Sequence, residues 1–258
     1  MWVDNLRDRI LNKKITGNDV AVYWTGGMGY IIKSRNYILG LDLYLSDSCK
    51  NEKDDFKRLV PPPLKAEDIK LDYLIASHDH GDHLDTGSIS SFINSGTKTI
   101  LIGPDSVMKQ AGSLGVKSGR LLVLNRGGHL KFENLDLWGV FADHGQYSLD
   151  CIGLIISISS KNIYFTSDTC YRPDLPQLVN IDKVIDLLIV PINGKFGNPD
   201  SRDASYIAAW VKPKTVIPSH FWMFKEHGGD PGLFVEYCST IAPKAKISVP
   251  AIGEELMI

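Results

Sequence analysis

The stretch Ser77-His78-Asp79-His80-Gly81-Asp82-His83-Leu84-Asp85 gathers three of the chain's seven histidines within six residues and sets carboxylates between them. It follows the apolar run of residues 71–76 without interruption, so the cluster sits where a strand leaves a sheet, a usual place for ligands in α/β proteins. Imidazole suits zinc, and imidazole with carboxylate also suits manganese or iron, so the H-x-H-x-D-H spacing carries both ligand types within one short segment. Two side chains of H-x-H reach one ion from an extended turn. Asp82 and His83 enter the next turn and can point at a neighbouring ion. A solvated polar loop is the competing reading, but it explains neither Asp82 nor the apolar strand in front of it.

The same grammar recurs downstream. His144 follows Leu137-Trp138-Gly139-Val140-Phe141-Ala142, Asp168 follows Ile163-Tyr164-Phe165-Thr166-Ser167, and His220 follows Val216-Ile217-Pro218-Ser219. Each places a metal-ligating side chain just past an apolar, strand-like run. Seven candidate ligands are too many for one tetrahedral site, so two divalent ions are expected.

Around these positions the chain reads as two similar halves. Trp2, Leu6, Ile10 and Leu11 recur at helical spacing and predict a short amphipathic helix. Residues 20–24, 29–33 and 37–41 predict an antiparallel meander, with Gly26-Gly27-Met28-Gly29 as a turn. That glycine run has no Lys-Ser/Thr and no following helix, so it is no phosphate loop. Residues 46–63 are polar and end in three prolines, which predicts a long surface loop. Strand-like runs at 72–76 and 99–102 then alternate with helices near 86–94 and 105–114. A second β-rich region covers 121–124, 129–132, 135–142, 152–158 and 163–166. It is followed by strands at 187–191, 215–218 and 247–249 and helices at 202–211 and 232–241. No Gly/Ser linker separates the halves, so one domain over 1–258 is expected, with two sheets facing each other and helices outside.

Composition narrows the function classes. Of the 258 residues 43% are hydrophobic and 22% charged, the usage of a folded protein with a substantial core. The net charge of -2 supplies no general field for a nucleic-acid backbone. No apolar run approaches the ~20 residues that span a bilayer, and the first twenty residues hold no signal-like apolar stretch. Cys49, Cys151, Cys170 and Cys238 are widely spaced, without C-x-x-C, which fits reduced thiols and a cytoplasmic location.

On these residues the chain resembles the metallo-β-lactamase-fold hydrolases. Asp42 at the end of the meander, His78-x-His80-x-Asp82-His83, then His144, Asp168 and His220 stand in that family's order, over most of the chain. Within the superfamily, Gly40-Leu41-Asp42-Leu43-Tyr44, the histidine stretch and Pro218-Ser219-His220-Phe221 are most similar to the L-ascorbate-6-phosphate lactonase group. Trp24, Asn198-Pro199 and Asp230-Pro231 are similar to it as well. The resemblance implies an α/β fold, a four-layer αββα sandwich, with two adjacent metals at the sheet edge. One ion would be held by His78, His80 and His144, the other by Asp82, His83 and His220, with Asp168 bridging. Zinc is expected first, with manganese and iron also chemically allowed. Asp42 would accept the free N–H of a ligand histidine and fix its tautomer, unless it is simply a turn residue at a strand end. The implied chemistry is hydrolysis of a lactone or sugar-phosphate lactone by hydroxide generated on the ions, with Asp82 orienting it and moving its proton.

Other residues carry weaker signals. Asn193 and Lys195, in the glycine-rich segment after residue 191, are candidates for binding a substrate oxygen or phosphate, as are Arg172 and Arg202. Trp222 and Phe224 suit either a pocket wall or plain core. His129 and His227 read as turn and solvated-loop residues. The expected partner is a small-molecule substrate, with neither nucleic acid nor membrane, and the oligomeric state, a homo-oligomer included, stays open. A phosphodiesterase or nuclease of the same fold, or a metal-binding sensor without turnover, are the rival functions.

Overall fold

Alternation along β1 (Ala21–Gly26) shows how the layers arise. Val22 and Trp24 join one cluster of buried apolar side chains while Ala21 and Tyr23 join another, so the strand is covered on both faces. The computed structural model describes residues 5–50, 56–94 and 98–258. Trp2 of the expected first helix lies outside them. The rest of that helix is α1 (Leu6–Asn12), which buries Leu6 and Ile10.

After β1 come β2 (Gly29–Lys33), β3 (Ile38–Leu41), β4 (Tyr73–Ile75), α2 (Ile89–Asn94), β5 (Ile100–Gly103), α3 (Asp105–Ser113) and β6 (Leu121–Val123). The second half contains β7 (His129–Phe132), β8 (Leu135–Phe141), β9 (Ile152–Ile158), β10 (Lys161–Phe165), α4 (Leu175–Val179), β11 (Leu187–Pro191), α5 (Ser201–Val211), β12 (Thr215–Ser219), α6 (Pro231–Ile241), β13 (Lys246–Ile247) and β14 (Glu255–Met257). Two seven-stranded sheets result, in the orders β14-β1-β2-β3-β4-β5-β6 and β13-β12-β11-β10-β9-β8-β7. Each has an antiparallel part, β14 to β3 and β7 to β10, continued by parallel strands. This is the α/β two-sheet sandwich expected from the repeated order of meander and β/α units.

One apolar cluster fills the space between the sheets and continues under α4, α5 and α6; a second lies between the first sheet and α1, α2 and α3. The helix starts are written locally. Asp200 accepts from Arg202 N and Asp203 N at 2.9 Å, and Asp230, just before Pro231, accepts from Gly232 N at 2.8 Å and Leu233 N at 3.1 Å. Such caps contribute about 1 kcal/mol each. Strand β14 is absent from the sequence reading. It is short and half-buried, and it exists because it pairs with β1 and because Glu255 accepts from Tyr23 Oη at 2.7 Å and pairs with Lys13.

Candidate metal centre

Direction of the strands assembles the site. β3 and β4 are parallel; β8 and β10, both antiparallel to β9, share the direction of β11 and β12. The chain therefore leaves all of these strands at their carboxyl ends on one edge of each sheet, where open α/β sheets hold their ligands. Asp42, Ser167 and His220, each within two residues of a strand end, adopt left-handed backbone angles with φ of 44°, 60° and 59°. Three non-glycine residues in that region turn the chain sharply at the edge, and such strain concentrates at functional sites.

Asp42 lies at the centre of a buried network. Its Oδ1 accepts from Ser77 N at 2.7 Å, and its Oδ2 accepts from Ser77 Oγ and from His83 Nδ1, each at 2.6 Å. Ser167 Oγ donates to Ser77 Oγ at 2.6 Å, which ties the second sheet to the first. From the other side, His220 N donates to Gly27 O at 2.9 Å in the β1–β2 turn, and Tyr30 Oη pairs with Ser219 Oγ. The glycine run expected to be a turn is one. A side chain at Gly26 would meet Met223 Cε at 2.9 Å.

Two groups of ligand atoms face each other across Asp168. In the first, His78, His80 and His144 place nitrogens within 4.8 Å of one another, with His78 Nε2 and His80 Nδ1 3.0 Å apart. In the second, His220 Nε2 lies 3.2 Å from His83 Nε2 and 3.5 Å from Asp82 Oδ2. Asp168 divides its carboxylate between them: Oδ1 is 3.3 Å from His220 Nε2 and 3.6 Å from His83 Nε2, while Oδ2 is 3.6 Å from His144 Nε2.

These residues fit a pair of divalent cations. Because His83 Nδ1 donates to Asp42 and His80 Nε2 donates to Tyr147 O at 2.9 Å, the remaining nitrogens, His83 Nε2 and His80 Nδ1, point inward at other imidazole nitrogens. Two such nitrogens at 3.0–3.2 Å need either a ring N–H hydrogen or a metal ion between them. His144 Nε2 and Asp168 Oδ1 are buried without a hydrogen-bond partner among the described residues, which a ligated ion would satisfy.

The electrostatics agree. Burial would raise the Asp82 and Asp168 carboxyls, yet the surrounding imidazoles of His83 and His220 hold both well below the usual carboxylate range. Burial likewise opposes charge on His83, but Asp168, Asp82 and Asp42 outweigh it and raise its pKa to about 10. Burial pushes His144 down to about 4 and His78 well below the ordinary imidazole value. The second group thus pairs ionised carboxylates with a charged His83, a setting in which a metal ion can replace the proton, while His78 and His144 of the first are neutral nitrogen donors.

A cavity of about 500 Å³ opens above these atoms, with His80, Asp82, His144, Asp168 and His220 in its floor. His227 is the main correction. It is not solvated but 8% exposed, with Nε2 4.0 Å from Asp82 Oδ2 and its ring 4.5 Å from that of His220. Its loop folds inward because Phe224 packs against it, a contact invisible in the local sequence. Asn193 and Lys195 do not line the cavity: Asn193 is buried beside the backbone of Gly228, and Lys195 faces solvent. Phe196, between them and Gly197, reaches it instead. Arg172 is bound to Asp143 and Asp174, Arg202 lies on α5 against Tyr206, and His129 stacks on Trp138 in β7–β8, all outside the lining. Trp222 is 59% exposed, whereas Phe224 forms wall. Asp85 accepts from Leu45 N at 2.8 Å, Ser46 N at 2.9 Å and Ser48 Oγ at 2.9 Å, which pins the loop bearing Ser48 and Cys49 to the cavity.

Residues 44–221 match the family model of the beta-lactamase superfamily domain. The chain belongs to the beta-lactamase superfamily. It is 30% identical over 204 residues to a UPF0173 metal-dependent hydrolase of Carboxydothermus hydrogenoformans, covering 76% of this chain and 85% of that protein, which places it in the UPF0173 family. Among solved structures it is similar to Igni18, a metallo hydrolase from Ignicoccus hospitalis (TM-score 0.73, 20% identity, 93% of this chain and 98% of the other). It is also similar to the metallo-beta-lactamase fold protein YhfI from Bacillus subtilis (TM-score 0.69, 20% identity, 93% and 99%). At that identity the structural likeness speaks for the superfamily fold alone. Among the described residues no helix is long and apolar enough to cross a membrane.

Proposed function

We propose that this beta-lactamase-superfamily protein is a hydrolase of small ester-like bonds, lactones first among them, working at a two-ion centre. The observation that carries the reading is the Asp168 carboxylate, one oxygen turned to His83 and His220 and the other to His144, on the floor of an open cavity. His78, His80 and His144 would hold one ion, Asp82, His83 and His220 the other, with Asp168 between them. Bound ions supply Lewis acidity to a carbonyl oxygen and a water acidic enough to lose its proton near neutral pH.

The chain's own residues do the rest. Asp82, 19% exposed at the side chain, borders both the second ligand group and the cavity, so its carboxylate can take the proton of the attacking water and return it to the departing alkoxide. Asp42 keeps His83 in one tautomer, and the carbonyl of Tyr147 does the same for His80. Covalent catalysis has little support. Cys49 is the cysteine at the cavity, and burial, with Asp82 nearby, pushes its thiol up to about 12, so it stays protonated and weakly nucleophilic.

The test is a turnover screen of the full chain loaded with zinc, manganese or iron, on γ- and δ-lactones, aryl esters and bis(p-nitrophenyl) phosphate. Lactone hydrolysis that chelator abolishes and metal restores is expected. A preference for the phosphodiester, or full activity after metal removal, would overturn the reading.

A further inference from the structure

The geometry points to a substrate whose far end is uncharged and aromatic or compactly apolar, seated on Phe56, Phe196 and Phe224 beside the second ligand group. This inference rests on the hydrolase reading of the same site and names the chemistry of its substrate.

Three observations carry it. First, no Lys or Arg among the described residues lines the cavity, whose uncharged hydrogen-bonding side chains include Ser48, Thr86, Gln110 and Tyr147. A phosphate or carboxylate held away from the ions would lose water without gaining a cation, which is costly. Second, the three phenylalanines form a connected wall: Phe56 lies 6.1 Å from Phe196 and 5.4 Å from Phe224 between ring centroids. His227 joins it, 4.9 Å from Phe224 and 6.1 Å from Phe196, and carries the wall to His220 at the second ligand group. Tyr44 and Met223, both buried, support it from behind. Third, Phe196 is 39% exposed and has φ of 54°. A large aromatic residue in the left-handed region is rare and strained, and although it packs on Phe56 and His227 it keeps a face open to the cavity. It serves a ligand that covers it.

The sugar-phosphate lactone expected from the resemblance does not suit such a wall. An aryl- or alkyl-substituted lactone or ester does, with its carbonyl at the ligand groups and its apolar substituent on the phenylalanines, as concave sites combine an apolar wall with few polar anchors.

Three hydroxamates that share one metal-binding head and differ only in the tail test this on zinc-loaded full chain by titration calorimetry: acetohydroxamate, phenylacetohydroxamate and phosphonoacetohydroxamate. The phenyl tail should tighten binding at least about tenfold over acetohydroxamate, as burial of a phenyl ring allows, and the phosphonate should give no comparable gain. Phe196→Ala should erase most of the phenyl gain and Phe196→Leu part of it, while acetohydroxamate still binds and so reports an intact metal centre. Tightest binding by the phosphonate, absence of a phenyl gain, or its full survival in Phe196→Ala would overturn the inference. Failure of every lactone and ester to turn over, with the hydroxamate ranking intact, would overturn only the ester-hydrolysis reading.

Discussion

The two ligand groups sit side by side but are built differently. His78 and His80 come from one loop after β4, and only His144 must be brought from the other sheet. The second group draws Asp82 and His83 from that loop and His220 from the end of β12, with His227, seven residues further on, packed beside it. The first offers neutral imidazoles, His78 and His144 being kept uncharged by burial. The second offers carboxylates and a His83 that they hold cationic. A neutral nitrogen set needs little proton displacement to take an ion, whereas a carboxylate-rich set attracts a cation strongly but must release the proton already there.

The largest effect should come from the residue that the groups share. Asp168→Asn should lower metal content at both and reduce turnover by at least about a thousandfold, the scale expected when a unit acting together is broken. Elemental analysis that finds one ion retained at full occupancy would separate the two groups and make Asp168 a ligand of only one.

Asp42→Asn sharpens the comparison next. Asn tolerates the left-handed backbone at this position, so the change is read at the hydrogen bonds and not at the fold. Its amide cannot accept from His83 and both Ser77 donors as the carboxylate does. Affinity at the second group should fall about 10- to 100-fold, with the first little changed, as competition against a fluorescent chelator would reveal. Equal weakening of both would mean that Asp42 supports the loop as a whole.

A smaller effect is expected of His227→Phe, which preserves the ring packing against Phe224 but removes the nitrogen 4.0 Å from Asp82. Turnover should fall by about tenfold or less, with both ions retained, as suits a group beside the ligands and not among them. Loss of an ion in this variant would add His227 to the ligand set.

The finest distinction is a proton. His83, raised to about 10, is protonated in the metal-free protein at neutral pH, and an ion at its Nε2 displaces that proton. Affinity at the second group should therefore increase with pH between about 6 and 9, since each unit removes part of the competition. His78 and His144, already neutral there, have no proton to release. Since Asp168 and Asp82 also raise His220 against the effect of burial, calorimetric titrations in buffers of different ionisation enthalpy should show at least about one proton released for one of the two binding steps. Equal release in both steps would contradict the contrast between the groups.

Much of the fold and ligand set was legible because each piece is local. Strand periodicity, the glycine turn at 26–29 and the H-x-H-x-D-H spacing are short-range features, and chain physics makes them similar wherever they occur. Ligand candidates at the ends of apolar runs could be recognised from type and place: a polar metal-ligating side chain just past a buried strand. Strand β14 could not, because its three residues are stabilised by β1, Lys13 and Tyr23 and not by any periodicity of their own.

The sequence by itself determined which residue types could bind metal and at which strand ends they stand. Only the tertiary structure decided which of them meet, how Asp168 divides its oxygens, that His227 turns inward, and that Phe56 and Phe196 rather than Asn193 and Lys195 face the cavity. The reason is that loop side chains have no periodicity to fix their direction. Their orientation is set by contacts between segments far apart in the chain, such as Phe56 against Phe196 and Phe224, and those contacts exist only once the two sheets have packed.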